Sequence, residues 1–196
     1  MRISDDRYTR DRLRLDLALR LIRHEARTRT IRQWTGLSDD RIRKLYRSYV
    51  SDHDEEAVPR HRGKSPRQAG YFFRSAELHF QATQLASLFL MHELLGTTLL
   101  GVEPRYRVGS IESGSLLCQA YEAYRDLHEP PRISFEHAWF LLWALARRSE
   151  IGVSRCGQCD GVRLHDLLAR RVTACANCAP GDPPGPAVRA LSPAAP

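Results

Sequence analysis

Apolar residues recur at helical spacing near the start of the chain. Leu13, Leu17 and Leu21 are four residues apart with arginines between them, so we predict an amphipathic helix with a basic face. A second helix is predicted over 28–35 and a third over 39–49. Gly36 separates these two, and Ser38 is an N-cap residue whose side chain suits the first turn of the third helix.

The same periodicity resumes beyond a connector. Residues 59–70 combine Pro, Gly and basic side chains without periodicity, which indicates an exposed linker. We then predict helices over 75–101 and 113–128, and a last helix capped by Ser134. The buried stripe of this last helix is predicted to be Phe135, Ala138, Trp139, Leu142 and Leu145. The strand signal is weak until Gly152.

Four of the five cysteines form two pairs in the pattern C-x2-C-x15-C-x2-C: Cys156, Cys159, Cys175 and Cys178. Two residues between paired cysteines let a tight turn direct both sulfurs at one tetrahedral ion, and Gly157 and Asn177 tolerate such turns. The spacing predicts one structural Zn2+ held by all four thiolates. Four protein ligands leave no open position where the ion would activate water.

Other roles for the cysteines stay open at this point. In one alternative interpretation, the four cysteines form a disulfide pair or remain inert buried thiols. In another, His165 replaces one of the cysteines as a metal ligand. Cys118 stands alone on a helical stretch and is predicted to be a small buried hydrophobe. No apolar stretch suits a membrane helix or a signal peptide, so we expect a cytoplasmic protein, where thiols stay reduced.

These elements predict a mainly α fold: a helical body with an N-terminal helix-turn-helix-like unit and a small C-terminal zinc-ribbon-like module on short hairpins. The predicted divisions are a helical, helix-turn-helix-like unit over 1–58, the connector over 59–70, a helical body over 71–150, a four-cysteine zinc module over 151–179 and a proline-rich, disordered tail over 180–196.

Positive charge is concentrated in the N-terminal third. Residues 1–67 contain 18 Lys and Arg against 11 Asp and Glu, in a chain of net charge +7. Nearly all of this charge is arginine, whose planar fork suits bidentate contacts with phosphate and guanine. A coding bias of a GC-rich genome is the alternative explanation for the arginines.

The segment over 28–49 fits the pattern of a helix-turn-helix. Its apolar and turn positions are Ile31, Gly36, Leu37, Ile42 and Leu45. Arg32 departs from the pattern, because a small residue normally stands there. The predicted DNA-contacting residues are Arg41, Lys44 and Arg47, with Arg163, Arg170 and Arg171 near the cysteines. A plain amphipathic hairpin with a solvated basic face is the alternative.

No catalytic motif is found. The run H-E-L-L-G at 92–96 has Gly96 where a zinc protease needs its second histidine, and there is neither a phosphate-binding glycine loop nor a nucleophile elbow. Trp34, Trp139 and Trp143 fall on apolar helical stripes, where core packing is the default role. We therefore predict a binding protein and not an enzyme.

Three stretches of the chain together resemble the FlhC family, the zinc-containing subunit of the bacterial flagellar transcriptional master regulator. They are ALRLIRHEARTRTIRQWTGLSDDRIRKLYRSY, SPRQAGYFFRSAELHFQATQLASLFL, and ISFEHAWFLLWALARRSEIGVSRCGQC with its second pair CANC. The resemblance covers most of residues 15–179. Its most specific parts are the cysteine pairs and the run G-L-S-x-x-R-I-R-K-L-Y, whereas the proline-rich tail departs from the family pattern.

The resemblance implies that the four cysteines bind zinc and that the chain joins FlhD in a hetero-oligomer of four FlhD and two FlhC chains. It further implies that this assembly binds promoters of flagellar operons and activates transcription with RNA polymerase. The expected function is therefore that of a DNA-binding activator subunit. The alternatives are an RNA-binding zinc protein, an adaptor whose zinc module docks a partner protein and, if one cysteine is not a ligand, a zinc hydrolase.

Overall fold

Helices dominate the computed structural model, which describes residues 2–52, 58–59, 61, 63–98, 101–169 and 175–178. The α-helices of this described part are α1 (Arg2–Arg23), α2 (Thr28–Thr35), α3 (Asp39–Asp52), α4 (Ala76–Met91), α5 (Ile111–Leu127) and α6 (Phe135–Arg147). A 3-10 turn over Ala69–Phe73 precedes α4. None of the described helices combines the length and apolar character needed to cross a membrane.

Two antiparallel hairpins accompany the helices. The first pairs β1 (Leu95–Thr98) with β2 (Gly101–Pro104), and the second pairs β3 (Ile151–Arg155) with β4 (Val162–Asp166). The second hairpin carries the first cysteine pair at its tip, and the described residues confirm the predicted C-terminal cluster of four cysteines. The predicted tail over 180–196 lies outside them.

The chain divides into two compact units, and the division passes through α5. Unit 1 contains Met1–Ser65 and Arg107–Cys118, and unit 2 contains Pro66–Tyr106 and Gln119–Pro196. The sequence-based division differs in two respects. The first part of α5 joins the N-terminal helices, and the β3–β4 hairpin belongs to the same unit as α4 and α6.

The core of unit 1 is formed by α1, α2, α3 and the first part of α5. Leu21, Ile31, Trp34 and Ile42 have no exposed surface. A side chain on Gly114 of α5 would begin 2.7 Å from a methyl carbon of Leu17, so glycine allows this close approach. The three predicted helices are confirmed, although α1 starts well before the predicted stripe and Leu13 is 47% exposed.

A short turn joins α2 to α3. Gly36 adopts the left-handed conformation (φ 69°), and its amide donates to the Arg32 carbonyl at 2.9 Å. The Leu37 amide donates to the Thr35 hydroxyl at 3.2 Å, which fixes the chain direction. The Arg32 side chain is exposed and forms an ion pair with Asp39 at 3.3 Å, so it does not obstruct the packing of the two helices.

Unit 2 is built on α4, α6 and the second part of α5. The hydroxyls of Ser75 and Ser134 accept hydrogen bonds from the first turns of α4 and α6, which confirms the cap predicted at Ser134. In the predicted stripe of α6 only Trp139 is half-exposed, and the other members are buried. The Tyr124 hydroxyl accepts a hydrogen bond from the Ile133 amide at 2.9 Å, which connects α5 to the segment before α6.

The helix predicted over 75–101 is wrong beyond Met91. Glu93 adopts a left-handed conformation (φ 56°), and the Leu94 amide donates to the Phe89 carbonyl at 2.9 Å, which closes the helix C-terminus. β1 and β2 follow immediately. The prediction failed because no glycine marks the helix end, while the apolar residues Leu94 and Leu95 continue the helical spacing.

Candidate metal centre and basic surfaces

The first cysteine pair lies on the loop that joins β3 to β4. We call residues 156–161 the first knuckle. Its ends are held together by a hydrogen bond from the Cys156 amide to the Gly161 carbonyl at 2.9 Å, and the Asp160 amide donates to the Cys156 carbonyl at 3.0 Å. Asp160 adopts the left-handed conformation (φ 55°), and its carboxylate pairs with Arg155 at 2.7 Å. The turn thus uses Asp160, although the sequence suggested Gly157.

The second pair lies on a short turn over 175–178, which we call the second knuckle. The Cys178 amide donates to the Cys175 carbonyl at 3.3 Å. The Asn177 side chain donates to the Val162 carbonyl at 3.3 Å, which attaches the second knuckle to β4. Asn177 was expected to ease the turn, and it also joins the two knuckles.

The two knuckles bring all four cysteine sulfurs within 4.8 Å of one another. The distance is 3.7 Å between Cys156 Sγ and Cys178 Sγ and again 3.7 Å between Cys159 Sγ and Cys175 Sγ. Four sulfurs at about 2.3 Å from a tetrahedral zinc ion are roughly 3.8 Å apart. A disulfide would require a separation of about 2.05 Å. The geometry therefore fits a tetrahedral metal ion and excludes disulfides between these sulfurs.

The local backbone also prepares the site for an ion. Hydrogen bonds from the amides of Cys159 and Gln158 lower the pKa of Cys156 to about 6, which favours the thiolate that a metal binds. Burial, followed by hydrogen bonds with the neighbouring thiols, raises the pKa of Cys178 to about 12. A divalent cation would replace the proton that Cys178 otherwise retains.

Two residues considered for the site lie elsewhere. Among the described residues, the metal-binding group consists of cysteines, and His165 is not part of it. The His165 ring instead lies across β3, with Nε2 2.6 Å from the point where a side chain on Gly152 would begin. Cys118 is fully buried in α5, as predicted for a small hydrophobe.

The arginines predicted near the cysteines differ in exposure. Arg163 on β4 is only 6% exposed, so in this structure it offers little surface to a phosphate. Arg155 is half-buried and pairs with Asp160. Arg170 and Arg171 lie outside the described residues.

The predicted contact residues of the N-terminal helices lie on the outer face of α3. Arg41, Lys44 and Arg47 are exposed, whereas Ile42 and Tyr46 on the opposite face are buried. Arg43 pairs with Asp40 at 2.7 Å. We call Arg41, Lys44 and Arg47 the α3 basic face. One packed face and one exposed face are expected both of a helix-turn-helix and of a plain amphipathic hairpin.

The sequence reasoning missed the residues that support the knuckles. Gly161 brings the chain close to Cys159, and Asp160 supplies the left-handed turn. Their signal was present in the sequence, because the Asp-Gly dipeptide directly follows Cys159 and marks a turn.

Comparison with known proteins adds no assignment to this geometry. No protein-family model matches the chain, and no curated protein matches it.

Proposed function

We propose that this chain is a DNA-binding subunit of a bacterial transcription activator. The observation that carries the proposal is the orientation of α3. Ile42 and Tyr46 hold its inner face in the core of unit 1, so Arg41 and Lys44 are left exposed to solvent. A helix held in this way by a preceding helix and a tight turn is the arrangement that enters the major groove in helix-turn-helix proteins.

The metal centre has a structural role in this proposal. Zn2+ held by Cys156, Cys159, Cys175 and Cys178 joins the two knuckles into one module. Because four thiolates fill a tetrahedral ion, no position remains for a catalytic water. The proposed protein is therefore a zinc-stabilised binding subunit and not an enzyme, and it acts in the cytoplasm, where thiols stay reduced.

The resemblance to FlhC supplies the proposed partner and target. The chain would join FlhD in a hetero-oligomer of four FlhD and two FlhC chains, and this assembly would bind flagellar promoters and activate RNA polymerase. The supporting features are the cysteine pairs, which the structure brings together, and the run from Gly36 to Tyr46, which forms the turn and the inner face of α3.

Duplex binding tests the proposal. Zinc-loaded chain, alone and co-purified with an FlhD chain, is titrated with fluorescent flagellar promoter DNA over a range of salt concentrations. The variant Arg41→Gln/Lys44→Gln removes two charges from the α3 basic face. The matched control Arg67→Gln/Arg125→Gln removes two exposed charges from unit 2.

We expect the α3 variant to weaken binding at least about tenfold near 0.1 M salt and the control to bind like the wild type, because each lost phosphate contact lowers the salt slope by about 0.9. Equal binding by both variants would remove α3 from the interface. Preference for RNA over duplex DNA would favour the RNA-binding alternative. Stable association with FlhD without any nucleic-acid binding would favour the adaptor.

A further inference from the structure

The β1–β2 hairpin has one buried and one outward face. Leu95 and Val102 are 2% exposed and form the inner face. Because side chains alternate along a strand, Gly96, Thr98 and Gly101 share the outer face, where Thr98 pairs directly with Gly101. Two of the outer positions therefore have no side chain, which leaves bare backbone on this side of the hairpin.

Two arginine side chains occupy the space above these glycines. The guanidinium of Arg105 lies against Gly96, with Cζ 3.0 Å from the point where a side chain would begin. The guanidinium of Arg148 lies against Gly101, with Nη2 3.1 Å from the corresponding point, and it donates to the Thr98 hydroxyl at 3.0 Å. Both arginines are nevertheless exposed, so each cation is held on one side by backbone and is open to solvent on the other.

The backbone at Arg148 is unusual. This residue ends α6 in the left-handed conformation (φ 52°), which glycine or asparagine normally occupies. A cation at a helix C-terminus is favourable, but Arg147 in the last turn already supplies one. Helix capping alone therefore does not explain an arginine at this position.

Arg147 is held in place as well. Its guanidinium carbon lies 4.8 Å from the centre of the Trp143 ring, and its side chain is exposed. We call Arg105, Arg147 and Arg148 the hairpin arginine face. Glu103 pairs with Gly96 and is the outward carboxylate of β2, so an exposed anion accompanies the cations on this side of the hairpin.

We infer that the hairpin arginine face is a second contact surface for nucleic acid and binds phosphates of the DNA backbone. One guanidinium group can donate two parallel hydrogen bonds to the oxygens of one phosphate. Side chains that are already held against glycine or an aromatic ring lose less conformational freedom when they bind phosphate. Such contacts carry no sequence information and serve to position the duplex. The inference rests on the proposed function and extends it to unit 2.

The experiment uses the full zinc-loaded chain and a 30-base-pair duplex of mixed sequence. Arg105→Gln/Arg148→Gln removes two of the cations. Gly96→Ala leaves every charge in place, but its methyl group would displace the Arg105 guanidinium. Gly70→Ala is the matched control, because nothing lies within 4 Å of the added methyl group. Zinc content and circular dichroism establish that each variant is folded.

We expect the double variant to bind at least about tenfold more weakly near 0.1 M salt, with a salt slope reduced by about 2, for any duplex sequence. Gly96→Ala should weaken binding several-fold while Gly70→Ala does not. Wild-type binding by the double variant would overturn the inference, and so would duplex binding that polyglutamate displaces as readily as competing DNA does. Failure of the wild-type chain itself to bind duplex would instead contradict the proposed function.

Discussion

The Sγ atom of Cys159 lies 3.4 Å from the point where a side chain on Gly161 would begin. The side-chain nitrogen of Asn177 lies 3.0 Å from the same point. One glycine thus allows a ligand of the first knuckle and a supporting residue of the second knuckle to approach the same stretch of backbone. We expect the spacing of the cysteine sulfurs to depend on this approach.

Gly161→Ala should therefore weaken metal binding without removing a ligand. The added methyl group would force the Asn177 amide to shift, which should weaken its hydrogen bond to the Val162 carbonyl. Residues that support metal ligands typically change affinity by about 10- to 100-fold, so we expect roughly tenfold weaker zinc binding. Competition with a chromophoric chelator measures this. Gly70→Ala is the control, and equal affinities in the two variants would contradict the role of Gly161.

Replacing one ligand should have a larger effect. We expect Cys175→Ser to contain less than one zinc ion per chain and to unfold at lower temperature, because zinc binding contributes directly to the folding free energy of small metal modules. Cys118→Ala should keep its zinc, since Cys118 is buried away from the cluster. Metal analysis after dialysis against a chelator measures both. Full zinc content in Cys175→Ser would show that the site does not need four sulfurs.

Acid should destabilise unit 2 through His79, which is buried, and His165, which is half-buried. Burial lowers the pKa of His79, whose ring donates to the Leu164 carbonyl at 2.9 Å, and burial also lowers the pKa of His165. Below the unfolded value of about 6.5 the unfolded chain takes up these protons first. The contribution of these histidines to the free energy of unfolding is therefore fully present above that pH. It decreases as the pH falls, until the pKa of the folded state is reached.

His79→Gln keeps a hydrogen-bond donor for Leu164 but does not titrate. Over this pH range its free energy of unfolding should depend less on pH than that of the wild type, by up to about 1.4 kcal/mol per pH unit. Urea unfolding at matched zinc concentration measures the difference between the two proteins. Parallel pH profiles for His79→Gln and wild type would exclude a contribution from His79.

The variant Arg148→Gly distinguishes a role of Arg148 in stability from a role in DNA binding. Glycine relieves the left-handed strain, worth about 1–2 kcal/mol, but loses the hydrogen bond to Thr98 and makes the unfolded chain more flexible. These effects offset each other, so we expect a free energy of unfolding within about 1 kcal/mol of wild type, measured by urea unfolding. Duplex affinity should nevertheless fall. A strongly destabilised variant would indicate that Arg148 serves the fold instead.

The sequence predicted those parts of the fold whose boundaries carry local signals. Gly36 and Ser38 bound the turn between α2 and α3, and Ser134 caps α6, because these residues act through their own backbone or side chain. The cysteine cluster was equally predictable, since the C-x-x-C spacing is itself a geometric constraint. For these elements the information needed lies within a few residues of each boundary.

The remaining features carry no such signal in the sequence. The ends of α1 and α4 use Glu25 and Glu93 in left-handed conformations, so no glycine marked them and the β1–β2 hairpin was missed. The burial of Arg163 and the position of Arg148 over Gly101 are also tertiary effects. The hydrophobic periodicity of the chain does not reveal which arginine packs against the glycines of a strand.

The discontinuous make-up of unit 1 has a consequence for synthesis on the ribosome. Leu17 and Trp34 are covered in part by the turn of α5 that contains Gly114, and this turn is made about 50 residues after the end of the first segment. At about 5–20 residues per second, that delay is roughly 3 to 10 seconds. During this interval we expect the nascent N-terminal helices to expose apolar surface, which is the kind of surface that chaperones bind.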